Sequence, residues 1–190
     1  MLNLVLFGPP GAGKGTQADF IIEKFDLIHL STGDLLRSQI AAETELGLEA
    51  KIYIDKGFLA PDSIVISMIK SKLKENKEAN GFIFDGFPRT VAQAKALDVL
   101  LEENDISVSG MLCLSVEKEE IVSRLTNRGK TSGRPDDQDV SIIENRIRIY
   151  HEKTEPIRDY YKAQQKYHKI NGTGSVGEIA QRLTETVSTL

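Results

Sequence analysis

The sequence predicts an α/β fold, a parallel five-stranded sheet with helices on both faces. Three observations carry that expectation. Short apolar runs at Leu2–Phe7, Leu27–Leu30, Phe82–Phe84, Met111–Val116 and Tyr167–Ile170 alternate with longer stretches of helical periodicity, the pattern of a parallel sheet covered on both sides. The first run passes directly into a glycine-rich segment and then a helix. The 190 residues, 40% hydrophobic and 27% charged, suffice for one sizeable core and do not demand two.

The glycine-rich segment organises the rest. Gly8-Pro9-Pro10-Gly11-Ala12-Gly13-Lys14-Gly15-Thr16 satisfies G-x-x-x-x-G-K between a strand and the helix Gln17–Phe25, so the start of the chain is of the P-loop NTPase type. Glycine lets the backbone approach an anion closely, and the N–H groups from Gly11 onward point at phosphates from a helix N-terminus. A plain Gly-Pro turn would need neither Lys14 nor the buried strand before it. The general pattern places Ser or Thr directly after the lysine, whereas here Gly15 intervenes and the hydroxyl comes at Thr16.

The remaining elements follow in order. The run ending at Leu30 enters a helix over Gly33–Ala42 through Ser31-Thr32, residues suited to an N-cap. Leu46–Lys56 is a second amphipathic stretch that stops at Gly57, and Pro61-Asp62 opens a helix to about Asn76. After Phe82–Phe84 come Asp85-Gly86-Phe87-Pro88-Arg89 and a strongly periodic helix, Val91–Glu103. Met111–Val116 is followed by a helix from Glu117 to Asn127, and Arg128–Asp137 reads as an exposed loop of the kind that forms lids. Asp139–Gln165 is one long helical pattern with Pro156 inside it, where a break is expected. Asn171–Gly174 is a turn, and Val176–Val187 is the last helix.

Composition excludes several functions. A net charge of -4 gives no broad basic face for nucleic acid. No apolar stretch approaches the roughly 18 residues of a membrane span, and Met1 runs straight into a strand with no signal-like segment, so a cytoplasmic protein is expected. Cys113, the single cysteine, rules out an internal disulfide and a thiolate-rich zinc site; within Met111–Leu114 it reads as a small buried hydrophobe. The basic run Lys70–Lys77 reads as a solvated helix end. Six of the nine arginines fall between Arg124 and Arg158, which locates the positive field.

Phosphoryl transfer needs positioning and spread positive charge, because its transition state distributes negative charge over the transferred oxygens. Lys14 is the first such charge. Asp85 ends a buried strand, where a bare carboxylate is costly unless a cation, water or hydrogen bonds meet it; a role in holding Mg²⁺ through water fits.

Four segments together, Gly8–Thr16, Ser31-Thr32-Gly33-Asp34-Leu35-Leu36-Arg37, Asp85-Gly86-Phe87-Pro88-Arg89-Thr90 and Thr131-Ser132-Gly133-Arg134-Pro135-Asp136-Asp137, resemble the adenylate kinases over essentially the whole chain. The resemblance implies the reaction of ATP and AMP to two ADP, with Mg²⁺, in a monomer. It implies a core (1–30, 61–127 and 138–190), a monophosphate-binding insert (31–60) and a short lid (128–137). It further implies that Gly11, Ala12, Gly13, Lys14, Gly15, Thr16, Arg128 and Gly174 bind ATP, Gly174 through its backbone at the adenine. Thr32, Arg37, Gly57, Phe58, Leu59, Gly86, Phe87, Pro88, Arg89, Gln93, Arg134 and Arg146 would bind AMP. Lys14, Arg89, Arg124, Arg134 and Arg146 would act in catalysis. Arg124 and Arg128, spaced i, i+4, share one helix face. Gln93 carries a donor and an acceptor that match the N1 and N6 edge of adenine, and Thr32 stands where pyrimidine-preferring relatives tend to have Ala. Gly129 and Gly133 would absorb the backbone change of lid closure.

The lid lacks the four-ligand zinc site of longer relatives, so no structural zinc is expected. Between Asp137 and Arg146 there is one residue more than the family pattern has. Arg148 and Arg158 match nothing and read as surface residues, and His29, His151 and His168 read as structural. The nearest alternative is a UMP/CMP kinase, which shares the phosphate loop and the Asp85–Arg89 motif. A regulatory module that closes on ATP without transfer is disfavoured, since it has no use for transition-state charges.

Overall fold

A computed structural model describes residues 1–132 and 134–190 of the chain. Five strands, β1 (Leu2–Phe7), β2 (Ile28–Ser31), β3 (Gly81–Asp85), β4 (Gly110–Ser115) and β5 (Tyr167–Asn171), form one sheet in the order β2-β3-β1-β4-β5. Every neighbouring pair is parallel. Alternation along β1 shows why both faces are covered. Val5 and Phe7 join a core with Phe82, Phe84, Met111 and Cys113, whereas Leu4 and Leu6 join one with Ile83, Leu112 and Leu114 on the other side. Successive strand side chains point to opposite faces, so the unbroken apolar stretch Leu4–Phe7 within β1 requires helices on both.

On the second face lie α1 (Lys14–Phe25) and α9 (Val176–Val187), through Ala18, Ile21, Ile179, Leu183 and Val187. The first face is covered by α2 (Thr32–Ala41), α3 (Glu45–Ile54), α4 (Asp62–Glu75), α5 (Val91–Glu102) and α8 (Ile157–Ala163). Fully burying each such Leu, Ile or Phe contributes roughly 1.5–3 kcal/mol. The helices α6 (Lys118–Thr131) and α7 (Val140–Ile149) pack on each other through Ile121, Leu125, Ile143 and Ile147, apart from the main core. No helix among the described residues is long and apolar enough to cross a membrane.

Three expectations are corrected. The segment from Arg128 is not loop at its start, because α6 continues to Thr131, and a turn of 3₁₀ helix follows at Pro135–Asp137. Gly129 sits inside α6, where an added Cβ would lie 2.3 Å from the Asp137 carbonyl oxygen. Its use there is small size, which lets the two segments touch. Gly133 lies outside the described residues. The pattern Asp139–Gln165 breaks before Pro156: α7 ends at Ile149 and passes into a π-helical turn, Tyr150–Thr154. Arg158 is not a surface residue but a half-buried brace of that turn, with Nη2 donating to Tyr150 Oη at 3.1 Å and Nη1 to Glu155 Oε1 at 2.5 Å.

The register brings the site together. Leu6 pairs with Asp85 and Asp85 with Ser31, so the carboxyl ends of β1, β3 and β2 stop level with one another. Ligands of open parallel sheets bind at that edge.

Candidate active site

The loop after β1 turns into α1 at Gly13, whose φ of 91° is left-handed, with no side-chain cap on the helix. The first-turn N–H groups therefore have no capping side chain, as an anion site requires. Lys14 folds back over this loop, its Nζ donating to the carbonyls of Gly8 at 2.9 Å and Pro9 at 3.0 Å. Burial, and then the positive charges of Arg89, Arg146 and Arg128, push its pKa down to about 8 against the pull of Asp85.

Asp85, at the end of β3, is 8% exposed. Burial opposes its charge, but the His29 imidazole, Lys14 and Arg89 outweigh that and hold the carboxyl below its ordinary range. His29 Nε2 stands 3.7 Å from Asp85 Oδ2, an ion-pair distance too long for a hydrogen bond. Asp85 in turn raises the pKa of His29, which therefore reaches the edge of the site despite having no role in the sequence reading.

Next comes a turn built around Gly86, with φ 75°. An added Cβ there would meet Arg89 Nη2 and Thr32 Oγ1, each at 3.0 Å. Both side chains instead converge on the Gly86 carbonyl, Thr32 Oγ1 donating at 2.8 Å and Arg89 Nε at 2.7 Å. Burial, then the neighbouring Arg146 charge, pushes the pKa of Arg89 down. Thr90 caps α5 by accepting from Gln93 N at 3.1 Å, and this sets Gln93 facing back toward Arg89. Thr154, brought inward by the π turn, donates to the Arg89 carbonyl at 2.9 Å.

The arginines of the last third close the ring. Arg124 donates to the carbonyls of Ala12 at 3.4 Å and Gly172 at 3.2 Å, joining the phosphate loop to the turn after β5. Arg128 and Arg146 share Asp137, whose side chain is fully buried; Arg128 Nε donates to Oδ2 at 2.5 Å and Arg146 Nη1 to Oδ1 at 2.6 Å. Arg134 Nη2 lies 3.8 Å from Asp34 Oδ1, which also holds Arg37 at 2.5 Å. Burial, then the Arg37 and Arg128 charges, lowers the pKa of Arg134.

Most of these groups border one cavity of about 570 Å³, although His29, Thr90 and Asp137 are not part of its wall. Of the residues named from the sequence, the cavity wall includes Gly11, Gly13, Lys14, Gly15, Thr16, Thr32, Arg37, Gly57, Phe58, Leu59, Asp85, Gly86, Phe87, Pro88, Arg89, Gln93, Arg124, Arg128, Arg134 and Arg146. The extra residue before Arg146 does not take its guanidinium out of the site. Two residues are not brought there: Ala12 is 1% exposed and packs into the core beneath the loop, and Gly174 lies outside the wall, next to Glu178 and Arg182. The sequence reading missed Asp62, Tyr150 and Thr154. Tyr150 and Thr154 line the cavity, and Asp62 Oδ1 accepts from Gln93 Nε2 at 2.7 Å. Pro61-Asp62 signalled a helix start, but nothing local signalled that Asp62 faces Gln93.

Residues 6–166 match the family model for adenylate kinase. The chain belongs to the adenylate kinase family. It is 53% identical over 190 residues to an adenylate kinase of Flavobacterium psychrophilum, covering 100% of both chains. It is 50% identical over 188 residues to one from Parabacteroides distasonis, covering 99% of this chain and 98% of the relative. A third, from Leptospira biflexa, is 47% identical over 187 residues, covering 98% and 100%. These adenylate kinase relatives span the whole sheet and every segment that borders the cavity.

Proposed function

We propose that this chain transfers a phosphoryl group reversibly between ATP and AMP, giving two ADP, with Mg²⁺. The observation that carries the reading is the cavity wall, where Lys14 and six arginines from several segments of the chain line the same space as three carboxylates, Asp34, Asp85 and Asp136. A single nucleotide does not need so many cations; the phosphates of two nucleotides meeting head to head do. Each of these arginines faces a carbonyl or carboxylate oxygen, the kind of partner a phosphate oxygen would replace.

In this reading the N–H groups from Gly11 to Thr16 and Lys14 hold the ATP phosphates, with Arg124 and Arg128 beside them and the turn at Gly174 near the adenine. Thr32, Arg37, Arg89 and Gln93 hold AMP, along with the segments Gly57–Leu59 and Gly86–Pro88. Arg89, Arg134 and Arg146 span the junction. An AMP phosphate oxygen attacks the γ-phosphorus of ATP as the bond to the ADP oxygen breaks. A phosphate monoester is largely dianionic at neutral pH, with a second pKa near about 6, so no protein base is required. Asp85, buried and beyond hydrogen-bond reach of His29, suits a hydrated divalent cation, which would supply charge neutralisation on the β- and γ-oxygens. The segments 31–60 and 128–137 act as monophosphate insert and lid on the core, and closure excludes water that would otherwise hydrolyse ATP. In this reading the chain acts as a monomer in the cytoplasm.

The test is a coupled assay with ATP and each of AMP, UMP, CMP and GMP. AMP should exceed UMP and CMP by at least about 100-fold in kcat/KM, since a site that pairs polar groups leaves them unpaired with the wrong base. Comparable turnover of UMP would overturn the reading.

A further inference from the structure

We infer that Asp62 is a positioning residue that fixes which way the Gln93 amide points, and thereby makes the monophosphate site reject bases with a 6-oxo group. This rests on the reading of Gln93 as the contact to adenine. Gln93 is 1% exposed, and its amide is held at both ends. Oε1 accepts from the Arg89 backbone N–H at 2.7 Å, and Nε2 donates to Asp62 Oδ1 at 2.7 Å. Asp62 is itself anchored, its Oδ2 accepting from Thr90 Oγ1 at 3.1 Å.

The two flanking groups differ in kind. A backbone N–H only donates, and a carboxylate only accepts. Turning the amide over would set N–H against N–H and oxygen against oxygen, leaving four partly buried polar groups without partners, at substantial cost. One orientation alone is therefore open. In it, one N–H of Nε2 and one lone pair of Oε1 remain for the cavity that Gln93 lines, in a fixed order. Adenine presents an acceptor at N1 and a donor at N6, which that order pairs. Hypoxanthine presents a donor at N1 and an acceptor at O6, the reverse, and in the same pose it would need the amide turned over. Without Asp62 the amide keeps only the Arg89 tether and can rotate about its last side-chain bond.

The pairing joins residues 31 apart in sequence, from the start of α4 to the first turn of α5. It therefore also ties the outer boundary of the monophosphate insert to the base it reads.

Inosine monophosphate and AMP are compared as phosphate acceptors with the full chain, its Asp62→Ala and Asp62→Ser variants, and Gln93→Leu. Serine is too short to reach Gln93 yet suits the start of a helix, so it keeps the measurement available if the alanine variant does not fold. Either Asp62 variant should lower kcat/KM for AMP chiefly through KM while leaving that for inosine monophosphate level or raised, so that the ratio of the two falls at least tenfold. A structural role would lower both alike, and a ratio that falls less than tenfold in a folded Asp62 variant, while Gln93→Leu collapses it, overturns the lock. If Gln93→Leu leaves the ratio unchanged, the reading of Gln93 is what fails, and the lock fails with its premise.

Discussion

Arg146 Nη1 donates to Asp137 Oδ1 over 2.6 Å, and the other oxygen of the same buried carboxylate accepts from Arg128. One carboxylate thus ties α6 to α7 and keeps two cavity arginines in place. Burial opposes the charge of Asp137, but the hydrogen bond from Arg128 and the charges of Arg146 and Arg128 outweigh it and hold its pKa below the ordinary value. Removing one partner of a buried pair costs about 3–5 kcal/mol, reduced here because Arg128 is partly exposed. Asp137→Asn should therefore cost about 1–3 kcal/mol of stability near neutral pH. The sign of the pH dependence follows from the lowered pKa: the contribution is present above the unfolded value near about 4 and is lost as pH falls through the folded one. Urea unfolding at neutral pH and at about pH 3 should show the difference between parent and variant shrinking in acid; a difference that persists there would contradict the assignment.

Lys14, with its pKa pushed down to about 8, gives a proton-linkage prediction. A phosphate chain beside it stabilises the ammonium and raises that pKa, so on ATP binding Lys14 should take up roughly half a proton at pH 8 and close to none at about pH 6, where it is already charged, a contribution read as the difference from Lys14→Met so that the phosphate's own titration cancels. Calorimetry in buffers of different ionisation enthalpy reads this directly. In Lys14→Met that share of the uptake should vanish and kcat fall by roughly 10³, the scale of other phosphate-clamping cations. Turnover within tenfold of the parent would remove Lys14 from the chemistry.

Much of this was legible in the sequence because it is local. The strand, loop and helix from Leu2 to Phe25, the Ser31 cap of α2 and the Asp85–Arg89 turn each follow from neighbours within a few residues. What was not legible depends on long-range packing. Arg128–Thr131 has the composition of a loop, but Gly129 lets the helix lie against the Asp137 backbone, and α6 runs on. The π turn at Tyr150–Thr154 has no short signature. It is seen only as the geometry that brings Thr154 to Arg89, 65 residues away, and the contact of Asp62 with Gln93 is hidden for the same reason.

Thr154 offers a test of that π turn. Its hydroxyl holds the Arg89 carbonyl at 2.9 Å, and the same residue's N–H holds Gln93, so the backbone of Arg89 is fixed from two sides. Single-turn π segments inside helices are frequent at functional sites. Thr154→Val removes the donor at nearly constant volume and should raise KM for AMP several-fold, with a smaller change for ATP, at a stability cost of about 1–3 kcal/mol for the carbonyl left unpaired. Thr154→Ser should restore KM. Equal effects on both nucleotides would show that the hydroxyl serves the fold alone.

Gly57 stands where the insert meets α7, and its geometry sets the last expectation. Its φ is +73°, and an added Cβ would lie 3.0 Å from the Ile142 carbonyl oxygen and 3.1 Å from Arg146 Cγ. Beside it, Asn145 Nδ2 donates to the Lys56 carbonyl at 2.8 Å, so the insert is tied to α7 at this point. Alanine in a left-handed conformation costs roughly 1–2 kcal/mol, and here α7 or the segment carrying Gly57 must give by a few tenths of an ångström to admit the new methyl. Relief comes from moving the insert away from Arg146, which would draw Phe58 and Leu59 from the cavity wall. Gly57→Ala should therefore lower stability by about 1–2 kcal/mol and raise KM for AMP at least tenfold while KM for ATP, held mainly by the loop before α1, changes by less than threefold. Initial rates with each nucleotide varied in turn measure this; an unchanged KM for AMP would mean that the insert does not need its contact with α7 to form the monophosphate site.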